Sequence, residues 1–165
     1  MFIAATPLGQ SSLLEIPLYY EKFVAYFSPN HPLRDMHLSA NNMPGDNLWV
    51  LQEGHCVREQ TFNFCKAQTS YNHIYEAGSI ETLIRNEEKN GGYSVIPELH
   101  LDFLTIAQQQ NVRQISCPPA VREISLVIKK DFVRERLINA VADTIKKIMP
   151  EKMLDERLKK FSIRL

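Results

Sequence analysis

Short apolar runs alternate with longer amphipathic segments along the 165-residue chain. Compact apolar runs are typical of strands buried on both faces, whereas apolar residues that recur every three or four positions indicate helices. The alternation of the two predicts an α/β sheet fold. The predicted strands are Phe2–Ala5, Leu14–Leu18, Phe23–Phe27, Leu48–Leu51, Asn72–Tyr75, Tyr93–Ile96, Val112–Ile115 and Ile124–Ile128.

Two segments carry clear helix signals. One begins after Ser79, a residue type that caps helix N-termini, and ends before Gly91, where a C-terminal cap belongs. The other, residues 132–149, is amphipathic and stops before Pro150. Its predicted apolar stripe consists of Val133, Leu137, Val141, Ile145 and Ile148.

A third predicted helix, from Val57 to about Lys66, differs from the others because cysteines stand near both of its ends. Its central residues, from Thr61 to Phe64, are mediocre helix formers. We therefore expect this segment to be remodelled easily.

Charge and targeting signals narrow the function classes. The chain has 19 basic and 19 acidic side chains, so it has no overall preference for nucleic acid or anionic membranes. The last twenty residues carry a basic excess, which is more typical of a solvated helix face. The N-terminus does not resemble a signal peptide, and three cysteines without an export signal favour reduced thiols in the cytoplasm. We expect a cytoplasmic protein with no DNA-binding region in this chain.

Cys56 is the strongest candidate for chemistry. It follows the strand Leu48–Leu51 and precedes a helix, where unsatisfied backbone N–H groups favour a thiolate. His55 and Arg58 can add positive charge or hydrogen bonds. A thiolate is the species that attacks peroxide, so the sequence predicts that Cys56 is reactive.

Cys65 has different surroundings. It follows Phe62 and Phe64, which predict partial apolar shielding. Shielding of this kind keeps a thiol neutral and slow to react, which suits a resolving cysteine that attacks an already oxidised partner.

The spacing of the two cysteines makes a helix between them incompatible with a disulfide. A helical nine-residue step from Cys56 to Cys65 would span about 13.5 Å, whereas a disulfide needs Cα atoms within about 7 Å. Oxidation of Cys56 to a sulfenic acid and attack by Cys65 would therefore have to unwind the helix. Two cysteines near a helix are also common as core residues, and spacing alone does not separate these two interpretations.

The run Leu48 to Cys65 resembles the cysteine segment of the OxyR family, the hydrogen-peroxide-sensing branch of the LysR-type transcription regulators. That family has a Gly-His-Cys-hydrophobic-Arg-acidic-Gln stretch, matched here by residues 54–60, and a second cysteine at the same nine-residue step. The similarity extends to Glu15–Leu18, to the Ser-Ile-Glu-Thr-Leu stretch at residues 79–83 and to Cys117, which falls where the family has a lone structural cysteine.

The resemblance implies an α/β, periplasmic-binding-protein-like (type 2) LysR regulatory domain with two lobes. Residues 14–117 would form a complete second lobe that contains the redox cysteines, and residues 1–13 and 118–165 would form part of the first lobe. The implied site has Cys56 as the peroxide-reactive residue and Cys65 as its partner in a Cys56–Cys65 disulfide. The implied peroxide pocket consists of Gly54, His55 and Arg58.

The same resemblance implies partners. They are hydrogen peroxide, a second copy or further copies of the intact regulator in a homodimer or homotetramer, and glutaredoxin or thioredoxin as reductant. DNA would be bound only through a winged helix-turn-helix domain that this chain lacks, and we expect the chain to be a fragment. No cofactor is expected, and the histidines show no metal-ligand spacing.

Two other functions stay open at this point. The chain could be a small-molecule effector-binding domain of a LysR-type regulator without redox sensing, or a thiol peroxidase that turns over peroxide. The chain has no phosphate loop, nucleophile elbow or paired-carboxylate motif, so an enzyme of those classes is not expected. Cys117, which precedes two prolines, is expected to be a small buried hydrophobic residue.

Overall fold

The computed structural model describes residues 1–39, 41–44, 47–65 and 73–163, with residues 64 and 65 through their backbone only. The chain divides into two units, one made of Met1–Glu21 with Val121–Leu165 and one made of Lys22–Ala120. Both units combine strands with helices, as the sequence pattern predicts. The correspondence of these units to lobes of a longer protein stays a prediction.

The unit formed by residues 22–120 is built on a mixed sheet. Its described strands are β2 (Leu13–Phe27, of which residues 22–27 belong here), β3 (Leu48–Leu51), β4 (Ile74–Ala77), β5 (Tyr93–Pro97) and β6 (Val112–Gln114). They follow the order β6-β2-β5-β3-β4, where β3 is parallel to both β4 and β5, and β2 is antiparallel to β5 and β6. The helices are α1 (Cys56–Cys65), α2 (Ile80–Asn90) and α3 (Ile106–Gln109), with a 3-10 helix at Glu98–Phe103.

Two crossover connections position the cysteine helix. The chain runs from β3 through α1 to β4, then through α2 back to β5, and these three strands are parallel. The start of α1 therefore lies just beyond the carboxyl end of β3. In open α/β sheets, ligands and reactive groups gather at this edge.

The boundaries of these elements follow local signals. Ser79 caps α2, because its Oγ accepts a hydrogen bond from the Thr82 amide at 3.2 Å, and Gly91 ends the helix with a φ of 81°. The predicted strand Leu48–Leu51 agrees with the structure. The next strand begins at Ile74 rather than Asn72, which lies outside the described residues.

The unit formed by residues 1–21 and 121–165 is simpler. β1 (Phe2–Thr6) is antiparallel to β7 (Val121–Lys129), and β7 lies between β1 and the first part of β2. Helix α4 (Glu135–Ile148) packs on this sheet, and two 3-10 helices follow at Glu151–Met153 and Glu156–Phe161. One cluster of its buried core consists of Leu18, Leu126, Ile128, Ile138 and Ala142.

The separation of Leu14–Leu18 from Phe23–Phe27 was wrong, because both belong to the single strand β2. The prediction broke the strand where charged residues interrupt the apolar run. Glu21 is fully buried there, but Arg122 on β7 contacts its Oε2 through Nε at 2.8 Å and through Nη2 at 2.7 Å. A buried charge is tolerated where a partner of opposite sign is hydrogen-bonded to it.

The predicted apolar stripe of α4 was also wrong in part. Ile138 and Ala142 are buried and Val141 and Ile145 pack beside them, whereas Val133 is 87% exposed and Ile148 is 71% exposed. Val133 precedes the helix, which begins at Glu135, and Ile148 is its last residue. The ends of the predicted stripe therefore lie outside the central turns that pack on the sheet.

Glu87 is a fully buried acid on α2. Neither of its carboxyl oxygens has a hydrogen-bond partner in the described part of the chain. Burial raises the pKa of Glu87 well above its usual range, and the neighbouring charge of Glu88 raises it further. The nearby Ser94 hydroxyl favours the charged form, and so opposes this shift, without reaching hydrogen-bond geometry. The folded state therefore retains the proton on Glu87 at pH values where the unfolded chain has lost it.

This proton makes stability depend on pH. Because the pKa of Glu87 is raised on folding, its contribution is fully present below the unfolded pKa and is lost as pH rises towards the folded pKa. We expect Glu87→Gln to gain stability relative to the native chain by up to about 1.4 kcal/mol for each pH unit across that window. Urea unfolding at several pH values measures this slope.

Glu53→Gln is the control, since Glu53 is exposed and lies outside any helix or strand. We expect no such slope for it. Parallel pH profiles for the native chain and Glu87→Gln would contradict the assignment.

Candidate redox site

A short turn connects β3 to α1. The Gln52 amide donates to the carbonyl oxygen of Ala77 at 3.0 Å, which holds the start of the turn against the end of β4. Gly54 follows with a φ of 95°, a conformation that side chains rarely adopt. The His55 carbonyl then accepts from the Arg58 amide at 2.9 Å, which closes the first turn of the helix.

Cys56 is the first residue of α1, and its thiol is free and exposed. The N-terminus of a helix carries unpaired N–H groups and the positive end of the helix dipole, which favour negative charge. The interpretation of Cys56 as a core residue is therefore wrong, and the sulfur is accessible to a small oxidant.

Cys65 is the last residue of the same helix. The ten residues of α1 thus place the two cysteines at its opposite ends. The rise of an α-helix separates their Cα atoms by about 13.5 Å, roughly twice the reach of a disulfide. The predicted apolar surroundings of the Cys65 thiol lie outside the described residues.

Arg58 lies on the first turn of α1 and has partners in β3, in β4 and further along the helix. Its Nη1 atom donates to the Leu51 carbonyl oxygen at 2.9 Å and to Glu76 Oε1 at 2.7 Å. Its Cζ atom lies 5.1 Å from the centroid of the Phe62 ring. Sequence reasoning expected Arg58 near the reactive thiol but missed Glu76, which lies 18 positions away and carries no local signal.

Among the α1 residues whose side chains the structure describes, 56–63, the buried ones are mostly polar. They are Val57, Gln60 and Thr61, of which only the first is apolar. Thr61 Oγ1 donates to the Val57 carbonyl at 2.8 Å, while neither side-chain polar atom of Gln60 has a partner in the described part of the chain. The helical spacing of these positions could have revealed a buried glutamine. In the sequence, Gln60 stands out only as the last residue of the stretch at 54–60.

Residues 1–150 match the family model for the LysR substrate binding domain. The chain belongs to this family. A hydrogen peroxide-inducible genes activator from Haemophilus influenzae is 31% identical to it over 155 residues, which cover 89% of this chain and 51% of that protein. This LysR substrate-binding domain therefore spans about half the length of the curated relatives that it matches.

Solved structures show the same fold. Reduced OxyR from Porphyromonas gingivalis is 30% identical with a TM-score of 0.77, and the match covers 92% of this chain and 70% of that one. The reduced OxyR regulatory domain from Pseudomonas aeruginosa is 28% identical with a TM-score of 0.71, covering 88% and 71%. The predicted periplasmic-binding-protein-like fold of LysR regulatory domains is thus confirmed.

Cys117 does not have the environment that the sequence suggested. It is exposed rather than buried, so its interpretation as a small core residue was wrong. It lies beyond β6 in a turn before Pro118, with a φ of 59°, and not in a strand whose side chains enter the core. The LysR domain therefore presents two accessible thiols, Cys56 and Cys117, among its described residues.

The described residues offer neither a metal-binding cluster nor a membrane-spanning helix. Within residues 1–39, 41–44, 47–65 and 73–163, three or more His, Cys, Asp or Glu side chains nowhere cluster in a way that could hold a metal ion. Over the same residues, every helix is too short or too polar to cross a bilayer.

The turn before Cys56 depends on a glycine at position 54. A Cβ atom there would meet no other atom within 4 Å, so the cost of Gly54→Ala comes from the backbone conformation alone. We expect this variant to lose about 1–2 kcal/mol of unfolding free energy. Urea denaturation of the reduced protein measures the change.

Gly78→Ala is the matched control. Its Cβ would make only an ordinary contact of 3.5 Å with Gln52 Oε1, and its φ lies outside the left-handed range. Equal losses for the two variants would contradict the role of the Gly54 backbone.

Proposed function

We propose that this chain is the peroxide-responsive regulatory domain of an OxyR-type LysR regulator, in which Cys56 and Cys65 form a reversible disulfide. The observation that carries the proposal is the exposed thiol of Cys56 at the N-terminus of α1, with Cys65 at the other end of the same helix. The hydrogen peroxide-inducible activators among its relatives and its OxyR structural neighbours support the same function.

The chemistry has two balanced steps. The Cys56 thiolate attacks hydrogen peroxide, so that an S–O bond forms, the O–O bond breaks and hydroxide leaves as water after protonation. The Cys65 sulfur then attacks the sulfenic acid of Cys56, forms the S–S bond and displaces the second oxygen as water. One dithiol and one peroxide become one disulfide and two waters.

The second step changes the shape of the domain. The sulfurs cannot meet while residues 56–65 stay helical, since the helix holds them too far apart. Disulfide formation therefore unwinds α1, and a covalent change becomes a conformational signal. Reduction of the bond allows the helix to form again.

Gly54, His55 and Arg58 are the residues that we assign to the peroxide pocket. Gly54 and His55 form the exposed turn directly before Cys56, and Arg58 lies on the first turn of the helix. Their positions beside Cys56 along the chain support this assignment.

The wider function concerns a longer protein. We propose that the intact regulator is a cytoplasmic homodimer or homotetramer that contacts DNA through a separate winged helix-turn-helix domain. Glutaredoxin or thioredoxin would supply the electrons that reopen the disulfide. The relatives are transcriptional regulators, which suits a domain that consumes one peroxide for each switching event and is not a catalyst.

Disulfide mapping tests the proposed function. After one equivalent of hydrogen peroxide, we expect non-reducing peptide mass spectrometry to show one Cys56–Cys65 bridge in each chain. Cys56→Ser should stay unoxidised, and Cys65→Ser should accumulate the sulfenic acid of Cys56 because its resolving thiol is missing.

Cys117→Ser is the control, since Cys117 is accessible but has no role in the proposed pair. It should form the bridge as the native chain does. Persistent free thiols at Cys56 and Cys65, or a bridge that requires Cys117, would contradict the function.

A further inference from the structure

Arg58 joins helix α1 to two strands of the sheet. It donates to the carbonyl of Leu51, the last residue of β3, and to the carboxylate of Glu76 in β4, at 2.9 and 2.7 Å. Its guanidinium also lies near the ring of Phe62, one helical turn further along α1. A single side chain therefore ties α1 to the two neighbouring parallel strands.

The inner face of the same helix opposes this attachment. Gln60 is fully buried, and its amide has no hydrogen-bond partner in the described part of the chain. A buried amide without partners destabilises the conformation that buries it. The hydroxyl of Thr61 bonds back to the Val57 carbonyl within the helix, which weakens helices slightly.

We propose that Arg58 and Glu76 form a polar strap that holds α1 in its helical, dithiol form, working against the buried amide of Gln60. The balance of these two features sets how oxidising the surroundings must be before the Cys56–Cys65 disulfide forms. Arg58 and Glu76 are positioning residues in this account. The inference rests on the proposed function and adds what tunes it.

An interaction that exists only in the helical dithiol form favours that form, whereas a penalty paid only there favours the disulfide. When α1 unwinds, Arg58 moves away from Glu76, and the Gln60 amide becomes exposed to water. Removing the Arg58–Glu76 contact and replacing the buried Gln60 amide must therefore shift the equilibrium between dithiol and disulfide in opposite directions.

The test uses thiol–disulfide exchange with glutathione. Oxidised glutathione converts the protein dithiol into the disulfide and yields two reduced glutathione molecules, so electrons balance without peroxide. The full chain carrying Cys117→Ser is equilibrated over a series of glutathione ratios and then alkylated. Mass spectrometry of the Cys56–Cys65 bridge gives the equilibrium constant.

Variants of the strap should favour the disulfide. We expect Glu76→Gln to raise the equilibrium constant for bridge formation by roughly two- to fivefold, as befits a half-exposed ion pair. Arg58→Met should raise it further, because all three contacts of the guanidinium disappear. In the Arg58→Met background, Glu76→Gln should add little, since its partner is already absent.

Gln60→Met should act the other way. Methionine matches glutamine in length and in helix propensity but carries no amide to leave unpaired. We expect the constant for bridge formation to fall by roughly fivefold or more. Glu53→Gln removes a nearby exposed charge without touching the strap and should leave the constant unchanged.

The outcomes separate the two proposals. Suppose that the bridge forms in the native chain and that its equilibrium constant is unchanged in Glu76→Gln, Arg58→Met and Gln60→Met. The strap is then overturned and the proposed function stands. The same holds if Glu53→Gln matches Glu76→Gln, since the shift is then a general effect of charge. If no bridge forms in the native chain at any ratio, the proposed function fails and the strap fails with it.

Discussion

Helix α1 holds Cys56 and Cys65 at its opposite ends, and the behaviour of the whole site depends on that separation. A ten-residue helix keeps two Cα atoms at about twice the distance that a disulfide tolerates. The backbone between the sulfurs can therefore form a hydrogen-bonded helix or be closed by a disulfide, but not both. The parallel strands β3, β4 and β5, which crossovers join to each other, pair in one sheet next to this helix.

The contacts described for α1 include features that act in opposite directions. Of the three buried side chains among residues 56–63, Gln60 and Thr61 are polar, and the Gln60 amide has no hydrogen-bond partner in the described part of the chain. Arg58 and Glu76 form an ion pair near the surface that attaches α1 to β4. A partly exposed ion pair contributes only modestly to stability.

Local patterns predicted most of the fold and part of the site. β3 and the caps of α2 follow from apolar runs and from Ser79 and Gly91, which act within a few residues. Long-range partners decided what local patterns missed. Arg122 forms an ion pair with the buried Glu21 inside β2, and Glu76 binds Arg58 across 18 positions. The exposure of Cys117 depends on the turn after β6, which its two prolines indicated without showing where the thiol would lie.

Amide hydrogen exchange across residues 56–65, followed with and without peroxide, tests the central claim most directly. The account predicts that these amides lose protection once the bridge forms, while those of β3 keep theirs. A bridged protein in which residues 56–65 exchange as slowly as in the reduced form would contradict it.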